Sequence, residues 1–190
     1  MADVARRIAT HDDLHALPDN VVGEIVAGEL HVSPRPGPAH ASASSNIGYD
    51  VLGPFHRGRG GPGGWWILDE PELPLAEDVL VPDLAGWRRE RMPALPDTAW
   101  FELAPDWVCE VLSPSTSRLD RVGKLPRYAA ANVGHAWLVD PVAQTLEVYR
   151  RVDAAWLLVG TYGGDATVRA EPFDAVAMEL SGWWDTGKQS

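Results

Sequence analysis

One cysteine, Cys109, stands in 190 residues. Its isolation rules out an intrachain disulfide and any cysteine-rich zinc site, and a reducing cytoplasm is the simplest compartment for such a chain. Long apolar runs are missing too. Nothing is long enough to span a bilayer, and the N-terminus lacks the basic-then-apolar order of a signal peptide, so no membrane is expected as a partner. Positive charge is scarce: 16 Lys and Arg stand against 27 Asp and Glu, a net charge of −11. Nonspecific coating of DNA draws on many cationic contacts and the counterions they release, so that mode is disfavoured. A nuclease stays open, because a local cationic groove and metal ions can hold a phosphate. The basic residues do cluster, at Arg57 and Arg59, at Arg88, Arg89 and Arg91, and at Arg118, Arg121, Lys124 and Arg127. Solvated surface is the plain reading of each cluster.

Three familiar motifs are absent or fail on context. No GxSxG occurs, and Ser113, Ser115 and Ser117 read as turn and cap residues. Gly58 to Gly63 satisfies GxGxxG by letter, but the strand-like Trp65-Trp66-Ile67-Leu68 follows where a helix would have to begin. His11-Asp12-Asp13-Leu14-His15 has Asp where the zinc-protease motif needs Glu, and Pro18 cuts its helix short. Nine tryptophans invite a base-stacking role. Most of them, Trp65, Trp87, Trp107, Trp137 and Trp156, sit in apolar strand runs that suit core packing, and of the other four Trp66 and Trp100 are the ones expected to be exposed.

The 45% hydrophobic content fits a globular protein, and the length fits one domain over 1–190 with flexible ends at 1–9 and 186–190. Thr10 caps a short helix that Pro18 stops. Val22 to Val32 reads as a hairpin turning at Ala27-Gly28. Pro38 to Leu52 has helical spacing at Ile47, Val51 and Leu52. Strands are expected at Trp65 to Leu68, Val79 to Trp87 and Trp107 to Leu112. A helix opens at Ser115 or Ser117 and runs to Ala131. The strand Ala136 to Val139 then leads into a meander of Thr145 to Arg150 with Ala155 to Tyr162, followed by a strand near Thr167 to Ala170 and an apolar segment ending at Trp184. Strand–helix–strand from Trp107 to Val139 is a right-handed crossover, so those two strands should be parallel while the flanking hairpins are antiparallel. The expected class is α/β, a mixed sheet with helices packed on it.

Two carboxylates stand out. Glu110 lies in Trp107-Val108-Cys109-Glu110-Val111-Leu112, where alternation puts Val108, Glu110 and Leu112 on one face and Trp107, Cys109 and Val111 on the other. A carboxylate on such a face needs a cation or strong donors. Asp83, in Val81-Pro82-Asp83-Leu84-Ala85, reads as part of a second apolar strand. Lys124 falls on the helix after Glu110, with Tyr128 on the same helical face, and could reach back toward Glu110. Two acids and one lysine converging would make a hard-metal site for phosphate chemistry. A paired structural Glu, a turn Asp and a surface Lys are the plain alternatives.

The order Pro82-Asp83, Glu110-Val111-Leu112-Ser113-Pro114-Ser115, Asp120 with Lys124 and Tyr128, Gly134-His135-Ala136-Trp137-Leu138-Val139-Asp140-Pro141 and Glu147-Val148-Tyr149 resembles the Uma2 family. So do the Gly23 to Leu30 hairpin and the proline-rich stretch with His40. The resemblance covers Leu14 to Trp184. It implies a restriction-endonuclease-like PD-(D/E)XK fold, with a mixed β-sheet core flanked by helices and antiparallel hairpins towards both termini. It also implies a metal-dependent endonuclease acting on DNA. Mg²⁺, with Mn²⁺ as the other candidate ion, would be held by Asp83, Glu110 and the Val111 carbonyl, and Glu70 could complete the shell. Glu72, a further acid near the same strand, could complete it instead. Lys124 supplies the cation, because Leu112 occupies the place where the general pattern has lysine. Glu24 acts as an outer acid. His40 reads as a helix-start residue rather than a substrate contact. A homodimer is expected, since two-strand cleavage calls for two sites. The competing expectation is a catalytically silent module with this fold that binds nucleic acid or protein.

Overall fold

The computed structural model describes residues 7–187, so the expected flexible ends at 1–9 and 186–190 fall largely outside the described residues. The short helix α1 (His11–His15) begins at Thr10, which forms a capping box with Asp13. Strands β1 (Val21–Val26) and β2 (Glu29–Pro34) form the expected hairpin. Ala27 and Gly28 both take positive φ, 55° and 73°, the mirror-image turn whose twist suits a two-residue loop. Helix α2 (Pro38–Val51) starts on Pro38, whose missing N–H would find no partner in a first turn anyway. It buries Ala43, Ile47 and Val51 on one stripe.

Strands β3 (Trp65–Asp69), β4 (Leu73–Leu75), β5 (Asp78–Leu80), β6 (Leu84–Arg88) and β7 (Trp107–Val111) follow. A wide π-helical segment, Leu119–Lys124, runs into helix α3 (Leu125–Ala130). Then come β8 (His135–Asp140), β9 (Thr145–Val152), β10 (Ala155–Gly163) and the short β11 (Thr167–Val168) and β12 (Met178–Glu179). The central sheet has the order β10-β9-β8-β7-β6-β3, and a smaller sheet has the order β2-β1-β5-β4. The crossover is as expected: β7 and β8 pair in parallel from Trp107↔His135 to Val111↔Val139, and the other pairs of the sheet are antiparallel. The fold is a mixed α/β architecture.

The alternation on β7 is also as expected. Trp107, Cys109 and Val111 pack into one core with α2, while Val108 packs into a second core with Tyr128 and Trp87 on the other face. Trp65, Trp87, Trp107 and Trp137 are buried, Trp156 is half-buried, and Trp100 is exposed. Trp66 is less open than its sequence context suggests. The Arg89 guanidinium covers its ring at 3.9 Å, and its indole N–H donates to the Met92 carbonyl.

One strand expectation needs correcting. Val79 to Trp87 is two strands, because the chain leaves the small sheet after β5 and joins the central one at β6. Val81, Pro82 and Asp83 make that crossing. Pro82 has no N–H for a ladder, so the break falls there, and Asp83 sits at a bend instead of inside a buried strand. Within two of the basic clusters side chains make local pairs. Arg88 stacks on Trp65, Arg91 meets Asp106, Arg127 meets Asp78, and Arg121 makes a two-point contact with Glu147. Arg88 and Arg89 lie at the end of β6 away from Asp83.

Candidate active site

The crossing between the sheets is where the acids meet. Continuing the β6–β7 register of Leu84↔Cys109 by one residue sets Asp83 opposite Glu110. The Val111 N–H donates to Asp83 Oδ2 at 2.7 Å and fixes that carboxylate beside the C-terminal end of β7. Glu24 arrives from β1, and its Oε1 accepts the Val81 N–H at 2.7 Å. Lys124 reaches in from the last residue of the π-helical segment. Its Nζ lies 2.8 Å from Glu110 Oε1, 2.8 Å from Glu24 Oε1 and 3.7 Å from Asp120 Oδ1. It also donates to the Val81 carbonyl at 3.1 Å. An ammonium has three donors, and Glu24, Glu110 and Val81 take one each.

The electrostatics follow from burial. Glu24, Glu110, Asp120 and Lys124 are all between 2% and 6% exposed. Burial lowers the affinity of Lys124 for its proton, but Glu110, Glu24 and Asp120 outweigh it and hold the ammonium charged well beyond its ordinary range. The charged form of Lys124 is thus the one this pocket favours. Burial raises Glu110 well above the usual carboxylate range; Lys124 opposes this, while Asp120, Asp83 and Glu24 add to it. Burial likewise pushes Asp120 up to about 6 against the pull of Lys124. Three acids share one ammonium, so the site carries surplus negative charge.

Three members of this site had no role assigned from sequence. Tyr128 donates to Glu110 Oε1 at 2.6 Å. Its position four residues after Lys124 on a buried helical face was the available signal. Asp120 carried a signal as well: an acid four residues before a lysine on a helix is a spacing that pairs. The π-helical turn keeps both buried, with the Leu125 N–H bonding back to the Asp120 carbonyl. His40 corrects an expectation. It is not simply a helix-start residue, because its Nε2 lies 3.3 Å from Asp83 Oδ1. It shares a stripe with Ala43, Ile47 and Val51, and burying that stripe turns it toward the site. Burial disfavours its charged form, yet Asp83 and the Val111 backbone outweigh this and raise its proton affinity.

Glu24, His40, Asp83, Glu110, Asp120 and Lys124 line one cavity of about 150 Å³, together with the more exposed Arg35 and Glu70. Glu70 takes a positive φ of 43°. Its side chain meets Arg35 at 3.3 Å, and its N–H donates to the Asp83 carbonyl. The structure thus puts Glu70 in the same cavity but commits it to an arginine. Glu72 does not line this cavity.

Removing the Tyr128 hydroxyl isolates one donor to Glu110. Tyr128→Phe is expected to cost about 1–3 kcal/mol in urea denaturation at pH 7, as the loss of a hydrogen bond to a buried charged acceptor does. No change in stability would show that the bond is not maintained in solution.

The donor set suits a hard divalent cation. Asp83, Glu110 and the Val111 backbone offer oxygen ligands, and the cavity holds Glu24, Glu70, Asp83, Glu110 and Asp120 against Lys124 and Arg35. Among the described residues, no three His, Cys, Asp or Glu side chains are gathered closely enough to cage an ion alone. Mg²⁺ does not ask for that, because it commonly takes one or two carboxylates and keeps several waters.

Comparison with known proteins places this geometry. The Uma2 family model, described as "Putative restriction endonuclease", matches residues 11–181. No curated protein matches the chain. A crystal structure of "a putative nuclease belonging to DUF820 from Anabaena variabilis ATCC 29413" superposes with a TM-score of 0.75 at 22% identity, covering 93% of this chain and 97% of that one. The solved structure shares the fold, and because the family match spans nearly the whole sequence, this chain belongs to the Uma2 family.

Proposed function

We propose that the protein is a Mg²⁺-dependent endonuclease that hydrolyses phosphodiester bonds in DNA. One observation carries this reading: Asp83, Glu110 and Lys124, from three separate elements, converge in a single acidic cavity. Asp83 and Glu110, with the Val111 carbonyl, would hold the ion. Bound there, it would polarise a phosphate oxygen and lower the pKa of a coordinated water. The protein's own groups divide the remaining work. The Val111 N–H aims the Asp83 carboxylate. Lys124 and Tyr128 aim Glu110. Lys124 also supplies fixed positive charge beside the place where negative charge develops, while Glu24 and Asp120 hold it there. Arg35, exposed and paired with Glu70, is the second cation of the cavity lining and would meet a phosphate by exchanging that partner. A homodimer, which brings two sites to a duplex, belongs to the same reading.

The second reading, a silent module that binds nucleic acid or protein, has its own support. All three Lys124 donors are already engaged, and Leu112 stands in the usual lysine position. Two measurements separate the readings. Supercoiled plasmid is expected to be nicked and linearised with Mg²⁺ and left intact with EDTA, and Mg²⁺ titration by calorimetry should show binding. A folded protein that neither binds the ion at millimolar concentration nor cuts DNA is the silent module.

A further inference from the structure

His40 Nε2 stands 3.3 Å from Asp83 Oδ1, farther than in a tight charge-assisted hydrogen bond. We propose that His40 Nε2 is itself a ligand of the divalent ion, next to Asp83 and the Val111 carbonyl, and that the site therefore prefers Mn²⁺ to Mg²⁺. This rests on the metal-dependent reading above and specifies the ion of that same site.

Three observations carry it. First, the atoms that Nε2 faces are the ones assigned to the ion. It lies 3.3 Å from Asp83 Oδ1, and the Val111 backbone is within hydrogen-bonding reach of the ring. Second, 3.3 Å exceeds the roughly 2.7–2.9 Å of a charge-assisted N–H···O bond. Neighbouring ligands on an octahedral ion with bonds of about 2.1 Å sit about 3.0 Å apart. An ion seated between these two atoms draws them together by only a few tenths of an ångström, whereas Glu110 has to move in to complete the shell, because among the described residues no three such side chains already stand close enough to hold an ion. Third, the ring is held by a buried helix stripe and not by a loop, since Ala43, Ile47 and Val51 lock α2 against the sheet. Its other nitrogen, Nδ1, is buried without a hydrogen-bond partner among the described residues. No acceptor pins that end of the ring, so the fold gives Nδ1–H none of the outer support that strengthens many histidine ligands. Moderate affinity is the consequence, with the choice of ion set by ligand type. Imidazole nitrogen suits first-row transition ions, whereas Mg²⁺ favours an all-oxygen shell.

The test uses the full chain with Mn²⁺ or Mg²⁺ alone, without DNA. Pulsed electron paramagnetic resonance on the Mn²⁺-loaded wild type should show modulation from an imidazole nitrogen, which does not depend on any variant folding. In His40→Ala that modulation should vanish. Calorimetry should then show Mn²⁺ binding weakened by about tenfold or more, and Mg²⁺ binding changed by less than about threefold. If Mn²⁺ binds in a manner lost in Asp83→Asn but shows no nitrogen modulation, His40 is not a ligand and the metal-dependent reading stands. If neither ion binds the wild type at millimolar concentration, both readings fall together.

Discussion

Replacing Lys124 by methionine is expected to destabilise the protein by about 3–5 kcal/mol near pH 8, and by markedly less near pH 5. Methionine keeps most of the side-chain volume and removes the charge. Glu24, Glu110 and Asp120 are then left buried around an apolar tip, having lost the one ammonium that all three contact. Removing one partner of a buried ion cluster is far more damaging than removing the whole cluster, because the unpaired charge keeps its desolvation penalty. The pH dependence follows from the protons. Glu110 and Asp120 already sit above the usual carboxylate range in the folded protein, Asp120 at about 6, even with Lys124 pulling both down. An acid whose folded pKa is raised binds more protons folded than unfolded, so its contribution to stability falls as pH rises from the unfolded value of about 4 through the folded one. Without Lys124 both folded values move further up and the window widens. Low pH neutralises the stranded acids and shrinks the deficit. Urea denaturation at pH 5, 6.5 and 8 measures this, and a deficit of the same size at all three would mean that the charge cluster does not govern stability.

The fold was legible because its signals are local and periodic. Alternation on β7, the Ala27-Gly28 turn, the apolar stripe of α2 and the strand–helix–strand order each constrain a few neighbouring residues, and the structure keeps all four. The site was legible only in part, because its geometry depends on contacts between distant segments. Glu110 announced itself as an acid in an apolar run, and Lys124 as a lysine on the next helix. Where Asp83 sits depended on the chain changing sheets at Pro82, which a continuous apolar run conceals. His40 looked like one more polar residue in a helix's first turn. Its role appears only when the α2 stripe is docked and the ring swings onto Asp83. Glu70 lines the same cavity, as nearness in sequence suggested, while its side chain meets Arg35. The Arg88-Arg89-Arg91 run shows why a basic cluster in composition is not by itself a groove: those guanidinium groups serve tryptophan rings and Asp106.

Glu110→Gln and Asp83→Asn are expected to lower metal-dependent DNA cleavage by about 10³-fold or more, since each removes several kcal/mol of charge stabilisation at the ion. The two variants should differ in stability, and the difference tells loss of chemistry from loss of fold. Glutamine at position 110 still offers Lys124 and Tyr128 an oxygen to bond, and it removes one of three acids that share a single ammonium. The wild type should therefore be no more stable than Glu110→Gln. Because the Glu110 carboxyl is raised in the fold, its ionisation grows more unfavourable as pH climbs, so the variant's relative stability should increase from pH 6 to pH 8. Asp83→Asn lacks that relief. Its Oδ2 takes a short bond from the Val111 N–H and its Oδ1 faces His40, so the neutral amide weakens both and modestly reduces stability. An enzyme that cuts DNA at the wild-type rate with glutamine at position 110 would falsify the assignment of Glu110 to the ion. A variant that is fully folded, more stable than the wild type and inactive leaves loss of the chemistry as the only explanation, because the scaffold is intact and the missing charge is the single change.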